Sequence, residues 1–118
     1  MTLPDDQEGR LRCYKNALRN WNFRGYVTFK PLVEEWLANE LPGLSLREVA
    51  CELYQHVEGG GGIDEQPERR PEYAFYEFHF DLRVTIGGRR IYFETVLLCE
   101  DADDPDDPQI EVVSVHDV

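Results

Sequence analysis

From Pro71 onward the chain changes period. Ala74, Tyr76, Phe78, Phe80, Leu82, Val84 and Ile86 fall on one side of a two-residue repeat, and Tyr73, Phe75, Glu77, His79, Asp81, Arg83 and Thr85 on the other. Successive side chains alternate between faces only in a strand, so this stretch predicts a long strand with an apolar and a polar face. Gly87-Gly88 follows at once. Two glycines between strand-like runs predict a two-residue hairpin, whose backbone needs the positive φ angles that glycine adopts freely. The returning run, about Arg89 to Cys99, is apolar on both sides at its far end (Val96, Leu97, Leu98), which suits a central strand. Such a turn sets a register in which Ile86 faces Arg89, Arg83 faces Tyr92, Asp81 faces Glu94 and His79 faces Val96. The polar face then collects His79, Asp81, Arg83, Thr85, Arg90, Tyr92 and Glu94. A bulge anywhere in the hairpin would shift that set.

The first half reads as helices. Leu11, Tyr14, Leu18 and Trp21 recur at steps of three and four between Gly9 and Asn22, with Arg12, Lys15 and Arg19 on the other side. After an aromatic connection, Phe23 to Phe29, Pro31 opens a second helix carrying Leu32, Val33, Trp36, Leu37 and Leu41, which Pro42-Gly43 ends. Ser45 and Glu48 form a capping box for a third, whose buried stripe is Leu46, Val49, Ala50, Leu53, Tyr54 and Val57. Residues 1–8 read as a loose tail, and 59–72 and 100–109 as mobile loops. A last strand runs from Ile110 to His116. The fold class expected is α+β in one domain spanning residues 1–118. Three N-terminal helices precede an antiparallel three-stranded meander and pack on one of its faces.

Charge narrows the function classes. Twenty-four acidic and 12 basic residues give a net charge of −12, which argues against general affinity for nucleic acid or an anionic membrane. The basic residues are nevertheless concentrated. Between Gly9 and Val33 stand Arg10, Arg12, Lys15, Arg19, Arg24 and Lys30 with no Asp or Glu, interleaved with Tyr14, Trp21, Phe23, Tyr26 and Phe29. Cations beside aromatics can hold single-stranded nucleic acid. They can equally hold an acidic protein partner, or be neutralised by the rest of the chain. Arg12, Lys15 and Arg19 are the candidate contacts for either ligand. Residues 100–108 hold six acids and two prolines and read as a solvated loop.

No stretch is long and apolar enough to span a membrane, and the acidic start, Met1 to Asp6, lacks the basic and apolar parts of a signal peptide. The three cysteines, Cys13, Cys51 and Cys99, are too few and scattered for a disulfide framework or a Cys-x-x-Cys metal site. A cytoplasmic protein is expected. Neither a cofactor nor a metal is expected: no phosphate-binding glycine motif follows the four glycines 59–62, and His56, His79 and His116 lie outside any ligand-spaced motif.

On the polar strand face, His79, Arg83 and Tyr92, with His116 at the end of the last strand, form a candidate catalytic set. Cleaving RNA to a cyclic phosphate takes a base for the 2′-OH, an acid for the leaving oxygen and a cation for the phosphorane charge, roles open to His, Tyr and Arg. The bland alternative is a solvent-facing sheet with ordinary cross-strand pairs, Asp81 with Arg83 or Arg90 among them.

The helix ending in the glycine run, the strand Tyr76 to Leu82, the run Arg90-Ile91-Tyr92-Phe93-Glu94 and the closing Val112 to His116 resemble the RelE-like bacterial ribonuclease toxins, most nearly the motility quorum-sensing regulator type. The resemblance covers about residues 45–116. It implies metal-independent RNA cleavage, with His79, Tyr92 and His116 in the positions of the polar first-strand residue, the second-strand Tyr and the final basic residue. The chain departs from those toxins in being acidic and in ending on His where they carry Lys or Arg. The leading expectation is therefore a small cytoplasmic protein that binds a protein partner, as in a toxin–antitoxin pair. RNA endonuclease activity is the alternative, and self-association stays open.

Overall fold

A computed structural model describes residues 3–73, 75–101 and 103–118. Ala74, expected on the apolar strand face, lies outside them, as do Met1 and Thr2 of the expected tail and Ala102 of the acidic loop. The elements in chain order are α1 (Gln7–Arg19), β1 (Val27–Phe29), α2 (Pro31–Glu40), α3 (Leu46–Glu58), β2 (Asp64–Pro67), β3 (Phe78–Ile86), β4 (Arg89–Leu98) and β5 (Gln109–Asp117), with a 3-10 turn at Pro71–Tyr73 before β3. None of the helices is long and apolar enough to cross a membrane.

The α+β class and the helices-first order agree with the sequence. The sheet does not: it has five strands in the order β1-β5-β4-β3-β2, with β1 parallel to β5, in place of a three-stranded antiparallel meander. Both added strands are edges. β1 has three residues, too few to display a period, and lies in the stretch read as a connection. β2 is Asp-Glu-Gln-Pro, with no apolar residue to mark it, and lies within the stretch 59–72 read as a loop. Gln7 and Glu8, placed in the tail, open α1 instead: Asp6 caps it by accepting from the Gly9 N–H at 3.1 Å. The capping box of α3 forms as expected, the Ser45 hydroxyl accepting from the Glu48 N–H and the Glu48 carboxylate from the Ser45 N–H.

The hairpin register agrees with the reading at Ile86–Arg89, Arg83–Tyr92 and Asp81–Glu94. The ladder begins at Phe80–Thr95, and His79 pairs with Gln66 of β2. The irregularity lies between β4 and β5, where the pairing shifts by one residue at Glu94 and Thr95, leaving Val113 over. The three helices cover one face. Tyr14, Leu18, Val33, Leu37, Val49, Leu53 and Val57 pack on Phe80, Leu82, Val84, Ile91, Phe93 and Ile110. The Tyr14 hydroxyl reaches into that core and bonds Thr95 Oγ1 at 2.7 Å, and Thr95 donates on to the Phe80 carbonyl at 2.6 Å. Both polar side chains are fully buried and satisfied. Phe78, expected within the core, packs at its rim, as does Trp36.

Leu53 is fully enclosed in this layer. Leu53→Ala is expected to cost about 2–5 kcal/mol in urea unfolding. A loss under about 1 kcal/mol would contradict its central place.

Candidate functional site

The face of the sheet away from the helices receives every second residue of β3, β4 and β5. Cross-strand pairing puts Arg83 and His116 on either side of Tyr92. The His116 ring stacks on the Tyr92 ring at 4.6 Å and 16°, and the Arg83 guanidinium stands 5.2 Å from the same ring. Two residues along β3, His79 Nδ1 lies 2.9 Å from Asp81 Oδ1. Arg83, Tyr92 and His116 therefore meet in one cluster, whereas His79 lies on the same face four residues from Arg83 along β3, where its contact is with Asp81.

The protonation pattern follows from these contacts. A carboxylate only accepts, so the Asp81 bond puts a proton on His79 Nδ1 and, in the neutral ring, leaves the lone pair on Nε2. Burial first, then the neighbouring carboxylates of Asp81 and Glu94, push the Tyr92 phenol up from its ordinary value, so it stays protonated. His116 is exposed, its Nδ1 2.8 Å from the Asp117 carbonyl.

The face is not the open wet surface that the alternation suggests. Asp81 is 4% exposed and Glu94 7%. The segment after β2 folds across it as a strap. The Glu68 N–H donates to the Glu77 carbonyl, and Arg70 bonds both Glu68, at 2.9 Å, and Glu94 on β4. The Arg70 guanidinium also rests over the Tyr73 ring at 4.5 Å. Hydrogen bonds from Arg70 hold the buried Glu68 carboxyl down at about 2. The expected pairing of Asp81 with Arg83 or Arg90 is not made. Asp81 is engaged by His79, while Arg83 lies 3.5 Å from Asp64 of β2 and Arg90 is exposed. Asp81, Arg83 and Arg90 instead line a shallow hollow of about 300 Å³ together with His56, Gly62, Ile63 and Asp64. Glu68, Arg70 and Asp64 escaped the sequence reading. Their only signal is the charge run before the strand, which carries no period.

His79, Asp81 and Glu94 each offer a ligand atom, all within 4.8 Å of one another. Each of the three residues already has a protein partner here, Arg70 on Glu94 and His79 and Asp81 on one another. The three histidines are not gathered into one ligand set among the described residues; His56 bonds the Gly62 carbonyl at 3.1 Å.

Arg12, Lys15 and Arg19 are exposed on the outer side of α1 and, with Glu8 and Leu11, line a hollow of about 330 Å³. Since α1 packs on the other face of the sheet, these cations and the Tyr92 patch are two separate surfaces. No family model, curated protein or solved structure matches the chain.

The strap gives a signed pH dependence. Glu68 titrates at about 2 in the folded chain against an ordinary 4.5. A depressed folded value means a contribution fully present above pH 4.5 and lost as pH falls toward 2. Urea midpoints of the native chain are expected to fall more steeply over that window than those of Glu68→Gln. Parallel curves would show that the Arg70 contact does not hold the strap.

Proposed function

We propose that the sheet face away from the helices is an acid–base site for phosphodiester cleavage, and that the protein is a metal-independent RNA endonuclease of the RelE-like kind. The observation that carries this reading is the convergence on Tyr92, with Arg83 on one side and His116 stacked on the other, and the His79–Asp81 pair on the same face. His79 Nε2 takes the proton of a 2′-OH, and the freed oxygen attacks the adjacent phosphorus. The bond to the 5′ oxygen breaks as protonated His116 gives that oxygen its proton. Arg83 lies beside the developing phosphorane charge. The products are a 2′,3′-cyclic phosphate and a 5′-hydroxyl. Asp81 keeps His79 in the working tautomer, the role a carboxylate plays behind a catalytic histidine elsewhere. Tyr92 serves as the platform that sets His116. Arg83 and Arg90 supply local attraction for a phosphate in a chain whose net charge is −12.

A second reading, a protein-binding module that acts as one half of a toxin–antitoxin-like pair, draws on a different observation. Arg12, Lys15 and Arg19 are exposed together on α1 and make no ion pair among the described residues. An acidic partner fits that surface.

Unstructured RNA incubated with the protein in EDTA separates the two. Cleavage is expected, slowed roughly 10²–10⁴-fold in His79→Ala and in His116→Ala, and less in Tyr92→Phe. Because Asp81 is buried, His79→Ala also leaves it one donor short, an expected cost of about 1–3 kcal/mol. Assays therefore run well below the variant's melting temperature. Intact RNA, or cleavage that survives all three substitutions, overturns the catalytic reading. Capture of a protein partner that weakens with salt and is lost on charge reversal at Arg12, Lys15 and Arg19 would establish the second.

A further inference from the structure

The β1 edge of the sheet is open, and what flanks it says what it takes. The Ile110 N–H donates to the Tyr26 carbonyl at 2.8 Å and the Lys30 N–H to the Val112 carbonyl at 3.0 Å. Hydrogen bonds in a parallel ladder go to alternate residues, so residues 26, 28 and 30 face β5, while Val27 and Phe29 turn their N–H and C=O groups outward. Neither finds a backbone partner there among the described residues. Unpaired edges of this kind are usually blunted by a bulge, a charge or a covering loop. Here a hollow of about 550 Å³ lies alongside, walled by Trp21, Phe23, Arg24, Phe29, Leu46 and Arg47. Phe23 is 63% exposed, a large apolar side chain held in water. The stretch from Gly9 to Val33 contributes cations and no acid, and Arg24 makes no ion pair among the described residues. Glu34 is the one acidic residue on the wall.

We propose that β1 and this hollow form a docking site for an extended, acidic peptide segment of a partner protein. The segment adds a strand to β1 through the outward groups of Val27 and Phe29. Its alternate side chains divide between two environments, an apolar one entering the aromatic hollow and an acidic one meeting Arg24. Three residues of strand offer few hydrogen bonds, so the hollow and the charge supply the rest of the affinity. This site goes beyond the sheet-face chemistry and the α1 surface, shares no residue with either, and stands or falls without them.

The probe is an acetylated, amidated hexapeptide of alternating Glu and Val. Binding is followed by amide chemical shifts of the ¹⁵N-labelled chain and by anisotropy of a dye-labelled peptide. The Val27 and Phe29 amides are expected to shift most. Binding is expected to weaken at least about tenfold in Arg24→Glu, in Val27→Pro, and for a peptide N-methylated at alternate residues. A Lys-Val counterpart is expected not to bind. Val27→Pro removes only an outward N–H, but if it unfolds the chain, the N-methylated peptide on the native chain still decides the matter. Four results would overturn the proposal: no shift at roughly millimolar peptide, equal binding of the N-methylated or Lys-Val peptide, protection of the two amides in a dimer without peptide, or the same shifts produced by oligouridylate.

Discussion

Everything on both faces of this sheet hangs on the pairing of β3 with β4. Gly87 and Gly88 turn the chain with φ of 57° and 81°, conformations that any side chain would strain. That two-residue turn locks Arg83 opposite Tyr92 and Asp81 opposite Glu94. A slip of one residue would send Phe80, Leu82 and Val84 to the strap side and drive His79, Asp81 and Arg83 under the helices. The helices reinforce the correct choice chemically as well as by volume. Tyr14 finds a hydroxyl partner only if Thr95 points inward, and Thr95 finds the Phe80 carbonyl only in the observed register. In a slipped sheet those polar groups would be buried without partners.

The other face solves a harder problem. Asp81 and Glu94 are direct cross-strand neighbours and both are buried, an arrangement that like charges oppose. Each is supplied with its own donors. His79 attends Asp81, and Arg70 reaches Glu94 from the strap. The strap therefore belongs to the electrostatics of the patch. Without Arg70, the Glu94 charge would fall on the surface proposed to take a phosphodiester. Arg90 is exposed there, and among the described residues Arg83 is paired only with Asp64, at 3.5 Å.

How far this was legible depended on period and length. The hairpin register, the capping box at Ser45 and the stripes of α1 and α3 announce themselves because each repeats over several turns or pleats. β1 and β2 do not. Three residues cannot display alternation, and Asp64 to Pro67 form an edge strand whose residues the core does not select. The candidate site shows the same division. His79, Arg83, Tyr92 and His116 could be gathered from register alone, as every second residue on paired strands. That Asp81 is buried and held by His79 could not, because it pairs with Asp64 of β2, an edge strand without an apolar period, and Arg70 reaches Glu94 beside it from irregular backbone. Alternation predicts which side of a sheet a residue faces. It says nothing of what else lies on that side.

The two faces also divide the labour of the chain in energetic terms. The helix-covered face is closed by apolar packing, where a lost methylene costs stability and alters no chemistry. The strap-covered face is closed by charge-assisted hydrogen bonds between Arg70, Glu68 and Glu94, which depend on pH and are easier to open than a packed core. Local opening of the chain therefore has a preferred place, over the patch that carries His79 and Tyr92. The Arg70 contacts with Glu68 and Glu94 lie on the opposite side of β4 from the Tyr14–Thr95 contact, so separate interactions hold the strap and the core. A substrate that reaches the face beneath Arg70 would compete with Glu94 for that guanidinium. Occupancy of the site and closure of the strap are thus coupled through a single side chain.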